Sequence, residues 1–243
     1  MDNKISYSDH IKHYITDAEV SDYFSPNRAD RQIIRRRYEL FKSILSLKKD
    51  DQFCEIGSGG GEALNIIKNS KATYYPLDLS HKNLKIILKQ ADTMVCPSVS
   101  DIYALPFKDS SFDKMIISEV IEHLENPEDA LKEIFRVLKT NGQVVISVPY
   151  KEKIIYHLCV HCNQPTPTNA HLHSFDKNKL SSFSHSAGFS ITKLYAFGNK
   201  LSQLFKTSLL LKNFPFFIWR AVEFVFNTFI PKKSHLLIVL TKE

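Results

Sequence analysis

The stretch CEIGSGGGEA at residues 54–63 constrains this chain more than any other, because it places four of the seven glycines within five positions. An apolar run, DQFCEIG at 51–57, leads into it, and GEALNIIKNS at 61–70 follows with helical spacing. A strand that turns through bare backbone into a helix gathers unpaired N–H groups and the positive end of the helix dipole at one point. Such a turn suits an anionic or nucleotide-like ligand. A P-loop must close on Gly-Lys-Ser/Thr, and here Gly61 is followed by Glu62 and Ala63. The dinucleotide pattern G-x-G-x-x-G fits Gly57 and Gly59 but meets Glu62 at its third glycine, where a carboxylate would face a pyrophosphate. The spacing that fits is Gly57-x-Gly59-x-Gly61, with Glu55 ahead of it.

The rest of the chain alternates short apolar runs with helical stretches. Strands are expected at 51–57, 73–80, 93–101, within 111–120 and at 141–150. Helices are expected at 27–47, 61–70, 81–90 and 127–140. Two more strands, GFSITKLYAFG (188–198) and SHLLIVLTKE (234–243), follow later. This order implies an α/β fold: a Rossmann-like, doubly wound, seven-stranded, mainly parallel sheet ending in a C-terminal antiparallel strand pair. At 243 residues, 43% of them hydrophobic, the chain reads as one domain with an ample core. Within it we distinguish a helical cap (1–48), a core (49–150), a Cys/His-containing segment (151–187) and an apolar insertion (199–233).

The central block, SDIYALPFKDSSFDKMIISEVIEHLENPEDALKEIFRVLKTNGQVVISVP, adds more. With Glu55, the glycine spacing and Asp78 at the end of the second strand, it resembles the class I S-adenosylmethionine-dependent methyltransferases over residues 50–150. Where that family usually has Pro-Gly, this chain has Thr140-Asn141-Gly142, a turn of similar use. The resemblance implies S-adenosylmethionine as cofactor. Glu55, Gly57, Ser58, Gly59 and Gly61 would surround its methionine part, and Asp78 with Leu79 would hold the ribose. Asp101 and Ile102 would bind the adenine edge, and Ser118 and Glu119 would flank the methyl. His123 and Glu119 are the catalytic candidates. Against each stands a plainer role: a helix cap for Asp78, a turn for Asp101, a solvated Glu119 and a structural Glu122-His123 pair.

Two features lie outside that block. HLCVHCNQPTPTNAHLHSF (157–175) carries Cys159-x-x-Cys162 and His171-x-His173. Two thiolates and two imidazoles make a candidate tetrahedral zinc set, although H-x-H is tighter than the common spacing. One of these histidines in an acceptor pocket, or a metal-free reduced loop, are the other readings. LFKTSLLLKNFPFFIWRAVEFVFNTFIPKK (204–233) is rich in Phe, Leu and Ile, with Lys206, Lys212, Arg220, Lys232 and Lys233 at intervals. It reads as a peripheral membrane contact or as lid helices, with Pro215 dividing it. Arg28, Arg31, Arg35, Arg36 and Arg37 are expected on a solvated helix face.

The N-terminal residues lack an apolar signal-peptide core and no run of about 18 uncharged apolar residues occurs. A cytoplasmic protein is therefore expected, with membrane association as the alternative. The net charge of +6 permits RNA without demanding it. The preferred function is methyl transfer to a small-molecule or lipid-linked acceptor. An RNA methyltransferase is the alternative, and a non-catalytic cofactor-binding regulator the second. Oligomeric state is not legible.

Overall fold

The computed structural model describes Tyr7, residues 9–68 and residues 70–243. Residues 1–6, 8 and 69, which belong to the expected N-terminal cap and to the expected helix 61–70, lie outside the described residues. Two helices come first, α1 (His10–Val20) and α2 (Arg28–Leu45). Asp9 caps α1 through the Lys12 amide at 2.9 Å, and Asn27 caps α2 through Ala29 and Asp30. The Rossmann-like unit follows: β1 (Gln52–Ile56), α3 (Leu64–Ile67), β2 (Thr73–Asp78), α4 (His81–Gln90), β3 (Ser98–Val99), β4 (Phe112–Ser118), α5 (Pro127–Val137) and β5 (Leu138–Pro149). A small hairpin, β6 (Tyr156–Leu158) with β7 (Pro165–Pro167), precedes α6 (Lys177–Ser186) and β8 (Ser190–Phe197). Then come α7 (Lys200–Leu204), α8 (Thr207–Leu210), α9 (Phe216–Phe229) and β9 (His235–Thr241).

The main sheet has the order β3-β2-β1-β4-β5-β9-β8. Its first five strands pair in parallel, while β9 runs antiparallel between β5 and β8. This is the expected fold. Leu236, Leu237, Ile238, Val239 and Leu240 of β9 are fully buried, because both faces of the sheet are covered there. One face packs Leu131, Ile134 and Leu180 of α5 and α6. The other packs Phe41, Leu45, Ile67 and Ile87 of α2, α3 and α4. The strand order reverses between β1 and β4, so a crevice opens beyond their carboxyl ends, where open α/β sheets bind ligands.

Several boundaries differ from expectation. The strand expected at 93–101 shrinks to Ser98–Val99 plus an isolated Tyr74–Val95 bridge, because Pro97 cannot donate to a ladder. The helix expected at 61–70 keeps only Leu64–Ile67; its first residues form turns in which Gly61 N–H donates to Ser58 C=O at 2.7 Å. The helix expected through 140 ends at Val137, and Asn141 takes the left-handed conformation (φ 62°) at the turn. Pro215 does divide the apolar insertion, as the cap of α9.

Arg28, Arg31 and Arg35 of α2 lie on the expected exposed face, whereas Arg36 and Arg37 depart from it. Arg36 is 1% exposed; it donates to the carbonyls of Leu211 (2.7 Å) and Phe214 (2.8 Å) and lies over Trp219. It therefore fastens the insertion to α2. Arg37 turns inward to Glu119 at 3.2 Å. No helix among the described residues is long and apolar enough to cross a membrane.

Candidate functional site

A cavity of about 540 Å³ fills the crevice at the strand-order reversal. Gly57, Gly59, Asp78, Leu79, Asp101, Ile102, Glu119 and His123, all expected at the site, line it. The backbone explains the assembly. Gly57 ends β1 at φ 71°, and a Cβ there would meet Val120 Cγ2 at 2.5 Å, so only glycine lets the β1 and β4 loops close together. Gly59 N–H donates to Asp78 Oδ2 at 2.9 Å, and Ser80 N–H donates to Oδ1 at 2.8 Å. Those bonds aim the Asp78 carboxylate and leave each oxygen a further lone pair for a ligand hydroxyl. Burial raises the Asp78 carboxyl above its ordinary range, and the amides of Ser80 and Gly59 oppose it.

Four expected cofactor residues are not in the cavity wall. Glu55 is wholly buried in the core under α2, where its carboxyl accepts from Tyr38 Oη at 2.6 Å and from Tyr74 Oη. Desolvation lifts it to about 8, against the two tyrosine bonds. The acidic position before the glycines thus anchors α2 to β1 and β2. Gly61 faces α4, where a Cβ would sit 2.8 Å from Ile87 Cγ1. Ser58 is buried in the turn, with its N–H on the Leu77 carbonyl at 3.1 Å. Ser118 lies within β4, with its Oγ 3.2 Å from Ser147 Oγ. Each is placed by packing that the glycine spacing does not encode.

Glu119 is held in strain. It adopts φ 56°, and its carboxyl accepts from Ser147 Oγ at 2.8 Å, beside Arg37 at 3.2 Å and His235 at 3.6 Å. Burial would raise this carboxyl, but Arg37 first, then His235, the Ser147 hydroxyl and His123, hold it below the ordinary range. Glu119 is therefore paired with Arg37, His235 and Ser147 and keeps about a fifth of its side chain, 22%, exposed to the cavity. His123 ends a 3-10 turn (Ile121–His123) and its Nδ1 lies 3.3 Å from Ala170 O. A carbonyl only accepts, so Nδ1 carries the proton. Burial, then His171, lowers His123 to about 4, which leaves it neutral at pH 7.

The residues that the sequence reading missed come from α1 and from the loop after β7. His10, His13, Tyr14 and Asp17 of α1 line one wall, and Asn169 and Ala170 another. Their local signal was present: Asp9 as a cap, then Ile11, Tyr14, Ile15 and Ala18 at helical spacing. His10 Nε2 lies 2.9 Å from Asp101 Oδ2, while Tyr103 N–H donates to Oδ1.

The proposed Cys/His zinc set is not assembled. Cys159 and Cys162 sit on the β6–β7 turn, closed by Cys159 N–H to Gln164 O and Asn163 N–H to Cys159 O. His171 and His173 lie elsewhere, because the N–H groups of Leu172 and His173 donate to the Glu122 carbonyl at 2.8 and 3.0 Å. The thiols are held by the hairpin turn, and the histidine segment is tied to the turn after β4. Among the described residues the group able to surround an ion is Glu122, His123 and His171.

Residues 54–146 match the model of a family described as a methyltransferase domain. An uncharacterised protein of Methanocaldococcus jannaschii is 33% identical over 53% of this chain and 54% of its own length. The ubiquinone/menaquinone biosynthesis C-methyltransferase UbiE of Xylella fastidiosa is 25% identical over 45% of this chain and 53% of its length. The chain thus spans about half the length of these relatives. The solved structure of Haemonchus contortus phosphoethanolamine N-methyltransferase 2, in complex with S-adenosyl-L-methionine, superposes with TM-score 0.64 at 16% identity, covering 99% of this chain and 60% of that one.

Proposed function

We propose that this chain transfers a methyl group from S-adenosylmethionine to a small-molecule or lipid-linked acceptor, a reading supported by the match of residues 54–146 to a methyltransferase-domain model and by the shared fold. The cradle of Gly57, Gly59 and Asp78 at the strand-order reversal carries the reading. Bare backbone and an aimed carboxylate fit a nucleoside with an amino-acid tail, and the volume suits a ligand of that size. Bound S-adenosylmethionine would supply an already activated sulfonium methyl. Asp78 would hold the ribose hydroxyls, and Asp101 with Ile102 would meet the base, with His10 sharing the Asp101 carboxylate. The ionised Glu119 places negative charge on the cavity wall, favourable to a cationic centre beside it. Neutral His123 keeps one lone pair, on Nε2, which can take a proton or hold an ion but not both; with a value near 4 it is a weak base at pH 7.

The test is to incubate the protein with methyl-labelled S-adenosylmethionine and a host-cell extract, then separate lipids, RNA, protein and metabolites. Label in lipids or metabolites, absent with Asp78→Ala, is the expected result. Label in RNA would replace the acceptor class. Cofactor binding with no label anywhere would favour a regulator without turnover.

A specific observation favours a lipid-linked acceptor. Leu204, Phe205, Leu210, Phe217, Phe224 and Phe229 are all exposed, at 69–80% of their area. Lys206, Lys212, Arg220 and Lys232 are exposed among them. That is the pattern of a surface that meets anionic headgroups. It also adjoins the site: Arg37 and His235, the partners of Glu119, line a small cleft with Trp219 and Glu223 of α9. The protein is expected to co-sediment with phosphatidylserine-containing vesicles at low salt. Phe217→Asp with Phe224→Asp should release it with an unchanged melting temperature. A native protein that stays in the supernatant would remove the membrane contact.

A further inference from the structure

We propose that Glu122, His123 and His171 bind a divalent first-row transition-metal ion at the wall of the cavity. One donor atom of each lies within 4.8 Å of the other two. The two imidazoles stand edge to face with centroids 4.6 Å apart. An ion at about 2.1 Å from each donor needs donors about 3 Å apart, so side-chain rotations of about an ångström close the set. Two imidazoles and one carboxylate form a facial triad that leaves coordination positions open.

The outer contacts suit the same role. His123 Nδ1 meets the Ala170 carbonyl, and His171 Nδ1 meets the Glu152 carboxylate. Both acceptors fix the proton on Nδ1 and leave Nε2 with its lone pair. Metal-binding imidazoles are oriented by outer partners of this kind. Glu122 supplies the independent sign. It has no exposed area, and neither carboxyl oxygen has a hydrogen-bond partner. An unpaired buried polar group is costly, a charged one more so, and a cation would offset that cost. The Glu122 carbonyl also accepts the Leu172 and His173 amides, which brings His171 over His123 across about 48 residues of intervening chain.

The role of the ion rests on the methyl-transfer reading above. His123 lines the cavity, so open positions on the ion would face an acceptor there. An ion held there would lower the pKa of an acceptor hydroxyl, so that its proton could pass to water. Transfer would then form the O–CH3 bond from the oxygen lone pair as the C–S bond breaks, with the neutral thioether as leaving group. The site thus points to an oxygen acceptor.

The test uses cobalt(II) alone, titrated into the full chain carrying Cys159→Ser and Cys162→Ser, without cofactor or acceptor. Removing those thiols excludes the hairpin as a competing site. The expected result is one saturable equivalent with visible d–d absorption. His171→Ala should abolish it at an unchanged fold, judged by melting temperature. Glu152→Gln, at a partly exposed side chain, should weaken it by about 10–100-fold. Absence of saturable binding, or binding unaltered by both variants, would overturn the site. Because no methyl donor is present, that failure leaves the methyl-transfer reading untouched, and a failed label experiment leaves the metal result untouched.

Discussion

Asp78→Asn is expected to weaken S-adenosylmethionine binding by about 100-fold. In the native chain the carboxylate offers lone pairs on both oxygens after serving Gly59 and Ser80. A hydrogen bond to a charged acceptor contributes about 1.5–3 kcal/mol, and each 1.4 kcal/mol is tenfold in affinity. Asparagine keeps one acceptor oxygen and turns the other into a donor facing a backbone N–H. One ribose hydroxyl then loses its partner, and the Gly59 or Ser80 amide loses its own. Titration calorimetry with S-adenosylmethionine reads the loss, and the melting temperature reads the amide separately. An affinity within threefold of native would mean that the ribose is held elsewhere, and the cofactor assignment of the cradle would fall.

Glu55→Gln is expected to stabilise the protein at pH 8 and to remove much of its pH dependence. Burial raises this carboxyl from 4.5 to about 8 in the folded chain. Between those values the folded state keeps a proton that the unfolded state has released. Stability therefore falls as pH rises, from full strength below about pH 4.5 to its loss by about pH 8. At 1.36 kcal/mol per unit the effect is on the order of 4 kcal/mol. Glutamine is neutral throughout and can still meet the hydroxyls of Tyr38 and Tyr74. Its stability relative to the native chain should grow by on the order of 3 kcal/mol between pH 5 and pH 8, measured by urea unfolding. Parallel pH profiles for the two proteins would show that Glu55 is ionised in the fold, and that the buried tyrosines suffice to hold the charge.

Glu55 also shows where pattern reading stops. Its place before Gly57-x-Gly59-x-Gly61 implied cofactor contact, and the fold instead buries it beneath α2. The motif reports a spacing along the chain; which face of β1 receives α2 depends on Tyr38 and Phe41, far from the motif. Gly57, Gly59 and Asp78 were legible because the strand-turn-helix geometry that makes the site is local. The α1 wall was less legible: a short amphipathic helix announces itself, but not what it covers. The Cys/His reading failed for a related reason. Cys159 and Cys162 are close in sequence to His171 and His173, yet separate backbone bonds, one in the hairpin turn and one to the Glu122 carbonyl, draw them apart.

The sequence by itself determined the alternation of strands and helices, the glycine turn after β1 and the acidic end of β2. Hydrophobic period and backbone freedom act over a few residues, and each of these is written in such a stretch. Only the tertiary structure decided that Arg36 is a buried clamp, that Arg37 holds Glu119 ionised, and that His171 reaches His123 and Glu122. Those outcomes rest on burial and charge between segments far apart in the chain. The free energy of a buried charge is set by whichever partner the fold brings to it, and no local pattern records that partner.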